Sequence, residues 1–431
     1  MTSFALRGSF ALKPFAARRR AADWWLVSVA LLLSAYGIAM VYSAGQTDVP
    51  VSYVAGAWKK QLLWFMLSLP AAYAVSRAPL RLVEWLAWPG YLFGNLLLLV
   101  TLFFGSGAGT AASVKGWLTI GGVRLGQPAE LAKPLTALML ARLLSQQREM
   151  PKSLVDLWKP ALVVGVPWLL IMAQPDLGSA IVFIGIFFAV LFWAGIPWPM
   201  LVLLASPAVS LILSFSAWAW GAWFLAVIAL VFYYKPYLYE GVAVVVLNVI
   251  TGVASQIAWD KLKPYQQRRL LVFLDPANDA RGSGYHVIQS QVAIGSGGLF
   301  GKGWTQGTQK RLAFLPAQHT DFIWAVVGEE LGFIGVTVGL ALFLALLLRC
   351  TRIASRATDS FGSLAAFGLL SSWFVHVVVN VGMTLNLMPI TGIPLPFFSY
   401  GGSFMLISWL AVGLLVRISA EGRGRADALA V

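Results

Sequence analysis

The chain has 431 residues, of which 59% are hydrophobic and only 11% are charged. Soluble domains carry about 25% charged and roughly 45–50% apolar residues, so this composition excludes both an ordinary soluble protein and a disordered chain. The 31 Lys and Arg outnumber the 17 Asp and Glu by 14, and the single cysteine, Cys350, excludes an intrachain disulfide. We expect membrane lipids rather than a nucleic acid as the partner of this basic chain, because the sequence carries no nucleic-acid-binding motif.

Twelve apolar stretches are long enough, or nearly long enough, to cross a bilayer, which takes about 20 residues per helix. They lie at 24–42, 61–75, 83–104, 130–144, 160–173, 177–195, 199–215, 217–234, 240–258, 322–348, 362–385 and 402–418. We therefore predict an all-α polytopic membrane protein. Its parts are an N-terminal tail (1–23), a transmembrane domain (24–420) that contains a large extracytoplasmic loop (259–320), and a C-terminal tail (421–431).

The distribution of positive charge predicts the orientation. Three arginines at 18–20 precede the first stretch, and bases next to a membrane span favour the cytoplasmic side, so we place both termini in the cytoplasm. Eight bases but only three aspartates lie between Trp259 and Thr320. A loop with this charge on the outer face is a candidate anion-binding surface. The alternative is a solvated loop that contacts lipid headgroups.

Charged residues within membrane spans are costly and are candidate functional groups. Glu130 and Lys133 are three residues apart, so they share a helix face and can pair. The pair either only holds helices together or shapes a polar cavity. Asp176 follows Gln174-Pro175 between two short spans. It either caps the next helix or faces a substrate site.

Asp321 stands where the basic loop enters a long apolar helix, and a carboxylate at such a boundary is a candidate general base. The alternative is a helix N-cap, and both roles can coexist. Glu329 and Glu330 lie about 80° and about 180° around the helix from it, which argues against one metal cluster of the three. We expect His376 and Asn380, four residues apart, to form an interhelical hydrogen-bond pair.

Taken together, these segments resemble the SEDS family (shape, elongation, division and sporulation) of polytopic peptidoglycan polymerases. The resemblance runs from Asp23 to about Gly413, and its motifs are 41–44, 127–133, 174–178, 273–276, 282–285, 289–290, 319–322, 328–332, 380–383, 391–397 and 399–402. The glycine-rich runs at 293–298 and 301–303 look more like the elongation type (RodA) than the division type (FtsW).

The resemblance implies a bacterial plasma-membrane enzyme that polymerises lipid II during cell-wall elongation and works with a class B penicillin-binding protein. It implies an inverting displacement of undecaprenyl pyrophosphate, with Asp321 as the essential aspartate, Glu130 and Lys133 as the family's ion pair, and Asp176 as its cavity aspartate. Basic side chains of the outer loop are our candidates for binding the pyrophosphate: Arg268, Arg269, Lys302 and Lys310.

The sequence departs from the family in two respects. Ala317 stands where members usually have Glu, and Ala313 replaces another often polar residue. The metal ligands are therefore unknown, and a divalent cation, Mg²⁺ or Mn²⁺, is left open as a cofactor. Members also have ten spans, whereas 199–258 reads as three spans where one is expected, so we predict an added peripheral hairpin.

Two other function classes remain open at this point. A lipid II flippase or transporter has the same polytopic character, and it should carry its key charges near the middle of the membrane. A non-catalytic scaffold for a penicillin-binding protein is suggested by the alanine at position 317.

Overall fold

The computed structural model describes residues 23–48, 54, 56–107, 116–120, 123–147, 149, 151–261, 267, 271–273, 275–276, 283–315 and 317–429. Its helices are α1 (Trp24–Ala44), α2 (Ala57–Arg77), α3 (Leu80–Phe104), α4 (Pro128–Ser145), α5 (Trp158–Ala173), α6 (Leu177–Trp193), α7 (Trp198–Leu213), α8 (Ala217–Tyr234), α9 (Leu238–Lys261), α10 (Ser283–Gly297), α11 (Thr308–Arg311), α12 (Ile323–Ser355), α13 (Ser360–Thr384) and α14 (Gly402–Leu429).

The helices confirm the predicted all-α membrane fold. Within the described residues, eight helical stretches are long and apolar enough to cross a membrane, and α6 and α7 are shorter apolar helices. The charged helices α2 and α4 coincide with the two other predicted spans. The last helix continues to Leu429, so it extends beyond the predicted boundary at 420.

A small antiparallel sheet between α3 and α4 was not predicted. It consists of β1 (Gly105–Ser106), β2 (Trp117–Ile120) and β3 (Val123–Gly126), paired in that order. Strands of two to four residues are too short to show a clear alternation of polar and apolar residues, which is the sequence signal of a strand.

Helix α12 is interrupted at Gly332, whose φ of 61° and ψ of −159° are not helical. The turn after α10 fills the interruption. The N–H groups of Lys302 and Gly303 donate to the carbonyls of Glu329 (2.9 Å) and Glu330 (3.0 Å), so another segment satisfies backbone groups that the helix leaves open. The interruption therefore fixes the segment 298–303 against the first part of α12.

Helix α13 lies at the centre of the bundle and packs against α4, α6 and α12. Helices α7, α8 and α9 instead pack mainly on one another around a small cluster of Leu203, Val227 and Val244. Asn248 of α9 holds this unit together, because its side-chain amide donates to Ser206 Oγ at 2.8 Å.

Candidate active site

The turn that carries Asp321 is held by hydrogen bonds to three successive backbone carbonyls. The carbonyls of residues 319, 320 and 321 accept hydrogen bonds from the Tyr400 N–H (2.9 Å), the Ser399 hydroxyl (2.7 Å) and the Asn380 side-chain amide (3.0 Å), in that order. The side chain of Asp321 is only partly buried. The turn thus presents a carboxylate on a backbone that is held from two other elements.

Asp321 is not the N-cap of α12. The N-cap position belongs to Phe322, which has no side-chain capping bond, and the first helical residue is Ile323. The aspartate therefore lies immediately before the N-cap residue and next to Gly392. A Cβ added to Gly392 would come within 3.4 Å of Asp321 Oδ2.

The predicted pair of Glu130 and Lys133 is present and buried. Lys133 Nζ lies 2.7 Å from Glu130 Oε1, and the two side chains are 1% and 3% exposed. The same ammonium donates to His376 Nε2 at 2.9 Å. Because the ammonium can only donate, His376 Nε2 must be its acceptor, and the ring proton lies on Nδ1 facing the Pro394 carbonyl at 2.8 Å.

Asp176 has the predicted capping role and a second contact. Its Oδ1 accepts from the Ser179 N–H at 3.0 Å, and its Oδ2 accepts from Gln127 Nε2 at 2.9 Å. One carboxylate therefore caps α6 and ties it to the residue that precedes α4. Gly178 packs so closely on the 391–394 segment that an added Cβ would lie 2.7 Å from the Thr391 carbonyl.

The 391–394 segment links these parts into one site. It touches Asp321 at Gly392, α6 at Thr391 and α13 through the carbonyls of Ile393 and Pro394. The structure therefore brings Asp321, the ion pair and Asp176 to the same end of the bundle.

The surroundings of Lys310 differ from those expected of a pyrophosphate ligand. It is fully buried, lies 2.7 Å from Glu330 Oε1, and donates to Ser43 Oγ at 2.7 Å. Burial lowers the pKa of Lys310, while Glu330 opposes that effect. Because its charge is enclosed and neutralised in this way, the structure argues against a contact between Lys310 and a substrate pyrophosphate, and that role stays a prediction.

The other three predicted pyrophosphate ligands have different outcomes. Lys302 is partly exposed, and its ammonium lies 2.8 Å from Glu329 Oε1. That carboxylate oxygen also accepts from the Gln309 N–H at 2.9 Å. Arg268 and Arg269 lie outside the described residues.

The interhelical hydrogen bond expected of His376 and Asn380 is present at His376, which contacts Lys133 of α4. The contacts of both residues with the 391–394 segment, and of Asn380 with the Asp321 carbonyl, were not predicted. Their spacing of four residues was the available signal, since it places both on one helix face.

Comparison with known proteins identifies the chain's relatives. A protein-family model for FtsW, RodA and SpoVE, described as a cell cycle protein, matches residues 23–227 and 221–424. The chain belongs to this family, the SEDS family. It is an integral membrane protein, and its curated relatives place it in the glycosyltransferase class of enzymes. The two matches meet at 221–227, within α8.

Individual relatives match over nearly the whole chain. The peptidoglycan glycosyltransferase MrdB of Escherichia coli K12 is 34% identical, with 92% of this chain and 93% of the relative covered. The peptidoglycan glycosyltransferase RodA of Treponema pallidum is 35% identical (93% and 98% covered). A probable peptidoglycan glycosyltransferase FtsW of Coxiella burnetii is 36% identical (93% and 96% covered).

Solved structures show the same fold. The rod shape determining protein RodA of Thermus thermophilus superposes with a TM-score of 0.60 at 26% identity, covering 93% of this chain and 97% of that one. A chain from a peptidoglycan synthase complex, in which polymerization and crosslinking are coordinated, has a TM-score of 0.68 at 30% identity, with 93% and 98% covered.

Proposed function

We propose that this SEDS protein is a peptidoglycan glycosyltransferase that polymerises lipid II into glycan strands. The observation that carries the proposal is the partly exposed carboxylate of Asp321, whose backbone is held from two other elements, at the same end of the bundle as a buried ion pair. The names of the full-length relatives agree with this activity.

In the proposed reaction, Asp321 removes the proton from the GlcNAc 4-hydroxyl of one lipid II molecule. The hydroxyl oxygen then attacks the anomeric carbon of a second molecule, and the bond to undecaprenyl pyrophosphate breaks on the opposite face, with inversion. The proton passes to Asp321 and the electron pair to the pyrophosphate. A positioned base contributes about 100- to 10,000-fold to such a step.

The leaving pyrophosphate needs positive charge. Since Lys310 is enclosed and Lys302 is paired with Glu329, we assign this role to Arg268 and Arg269 of the outer loop. Glu130, Lys133 and Asp176 line the polar interior of the site and hold α4 and α6 in place.

The proposed mechanism contains no metal-dependent step. In the part of the chain that the structure describes, no three His, Cys, Asp or Glu side chains are grouped so that they could hold a metal ion. Ala313 and Ala317 contribute no ligand either. Activity that disappears with EDTA and returns with Mg²⁺ or Mn²⁺ would require a cation in the mechanism.

We further propose that both termini face the cytoplasm of a bacterium and that the site opens at the outer face of its plasma membrane. The bases at 18–20 support this orientation. A class B penicillin-binding protein is the proposed partner, in line with the synthase complex that contains a similar chain. The role in elongation and the identity of 199–258 as an added peripheral hairpin belong to the same proposal.

The test is lipid II polymerisation by the purified protein, alone and with its partner, read as glycan strands on a gel. Asp321→Asn should abolish strand formation. Asp48→Asn is the control, since Asp48 is an exposed aspartate paired with Arg311. Strand formation by Asp321→Asn at the wild-type level would refute the mechanism. Lipid II transport without strands would favour a flippase, and normal growth of cells that carry Asp321→Asn would favour a scaffold.

A further inference from the structure

Two polar side chains of α13 have no part in the mechanism above. His376 and Asn380 lie four residues apart on one face of the helix and are both fully buried. They contact the successive carbonyls of Pro394 and Ile393, at 2.8 and 2.7 Å. Each also contacts one half of the candidate site.

Besides the 391–394 segment, each residue contacts a different part of the candidate site. His376 Nε2 accepts from Lys133 Nζ at 2.9 Å, and the Asn380 amide donates to the backbone carbonyl of Asp321 at 3.0 Å. One turn of α13 therefore connects the ion pair on α4 with the turn that carries the aspartate.

We propose that His376 and Asn380 are positioning residues that fix Asp321 relative to the Glu130–Lys133 pair. The inference rests on the proposed function, because it assigns Asp321 as the base. Both residues act through others, and neither is assigned a contact with substrate.

The chemistry of His376 fits this role. A carbonyl only accepts and an ammonium only donates, so a neutral ring with its proton on Nδ1 satisfies both neighbours. Lys133 is then held between Glu130 Oε1 and His376 Nε2. Without the imidazole, the ammonium keeps one fixed partner and can rotate away from its present position.

Asn380 makes a comparable bridge at the other half. Both of its neighbours are carbonyls, so the NH₂ group, with its two donors, must face them. Its Oδ1 is buried and has no hydrogen-bond partner among the described residues. A buried acceptor without a partner costs stability, so the two donor contacts of this amide come with a stability cost.

The two-point attachment resists a shift of the 391–394 segment against α13. Such a shift would change the surroundings of Asp321, because Asn380 also holds its carbonyl and Gly392 lies next to its carboxylate. Misplacement of a reacting group by about 1 Å can cost roughly 100-fold in rate. The expected effect of breaking either bridge is therefore a fall in kcat.

Four single variants test the proposal, together with a double variant that is compared with Lys133→Met. His376→Asn keeps a donor near Nδ1 but cannot reach Lys133, whereas His376→Gln places an acceptor near the former Nε2. Asn380→Leu removes both donors at similar volume. Asn248→Leu is the matched control, because Asn248 is an equally buried asparagine in the α7–α9 unit, with side-chain bonds to Ser206, Ser210 and Val244.

We expect His376→Asn and Asn380→Leu to lower kcat by about 10- to 100-fold with KM changed less than about threefold. His376→Gln keeps an acceptor for Lys133 but loses the donor to Pro394, so it should lower kcat less than His376→Asn does. His376→Asn combined with Lys133→Met should be no slower than Lys133→Met alone. Asn248→Leu should lower the melting temperature but leave kcat unchanged. If His376→Asn and Asn380→Leu lower the melting temperature but not kcat, the two residues have a merely structural role. The same conclusion follows if the effects of His376→Asn and Lys133→Met on kcat are fully additive in the double variant.

Hydrogen–deuterium exchange separates this inference from the proposed function, because it needs no substrate. Asn380→Leu should speed exchange in a peptide that covers residues 317–324, and Asn248→Leu should not. An unchanged peptide in Asn380→Leu overturns the positioning role even if the wild type polymerises lipid II. If Asn380→Leu exchanges faster in this peptide but the wild-type protein forms no glycan strands, the positioning role is supported and the proposed function is refuted.

Discussion

The buried pair of Lys310 and Glu330 yields a prediction that separates stability from substrate binding. Both side chains are fully buried, and Ser43 joins them, since its hydroxyl donates to Glu330 and accepts from Lys310. Lys310→Met removes the charge and the donors at similar length. Glu330 then keeps the Ser43 hydroxyl and the Gly307 N–H at 3.3 Å but has no positive partner.

The size of the effect follows from the burial. Removal of one member of a fully buried ion pair leaves an uncompensated charge and typically costs about 3–5 kcal/mol, while replacement of both members by apolar residues is often neutral. We expect Lys310→Met to lose roughly this much stability, and Lys310→Met combined with Glu330→Leu to recover most of it. Arg311→Met is the control, because its pair with Asp48 is exposed and is worth less than about 1 kcal/mol.

The assay is thermal unfolding in detergent together with lipid II polymerisation by the protein that remains folded. The double variant should polymerise lipid II within about threefold of the wild-type rate, because a buried, paired lysine does not bind substrate. A double variant that is stable but more than about tenfold slower would refute this and return Lys310 to the substrate site. A single variant as stable as the wild type would refute the burial argument.

Three further predictions concern the site. Gly392→Ala should lower the free energy of unfolding by about 1–2 kcal/mol, because φ is 73° at this position, and thermal melting measures the loss. It should also lower kcat, because the new methyl group lies 3.4 Å from Asp321 Oδ2. An unchanged kcat in steady-state kinetics would contradict the second effect. Asp176→Ala should lower the free energy of unfolding by about 1–2 kcal/mol, because the N-cap of α6 is lost, and Asp176→Asn should lower it less. Equal melting temperatures of these two variants would argue against the cap. Burial lowers the pKa of His319 from 6.5 to about 4. The unfolded chain therefore takes up this proton first as the pH falls, and stability should drop by up to about 3 kcal/mol between pH 6.5 and 4. His319→Asn should flatten that part of the stability profile, and an unchanged profile would show that His319 does not cause the drop.

Local signals in the sequence predicted much of this structure, and contacts between distant residues were not predictable. The long apolar stretches located the spans because hydropathy is a property of each segment alone. The Glu130–Lys133 pair was predictable because its members are three residues apart on one helix.

The enclosure of Lys310 was not predictable in the same way. Its partner hydroxyl on Ser43 is 267 positions away, and Glu330 faces it only in the folded bundle, so the net charge of the loop gave no information about which bases stay free. The interruption of α12 was also missed. Gly332 lies inside a stretch predicted as one continuous helix, and the segment that satisfies its neighbours' backbone groups comes from residues 298–303.

The central claim is that Asp321 acts as the base in glycan-strand formation. The most direct test is the initial rate of lipid II polymerisation by purified Asp321→Asn, compared with the wild type at equal concentrations of folded protein. A fall of at least about 100-fold with an unchanged melting temperature is the predicted result. A rate within about twofold of the wild type would contradict the claim.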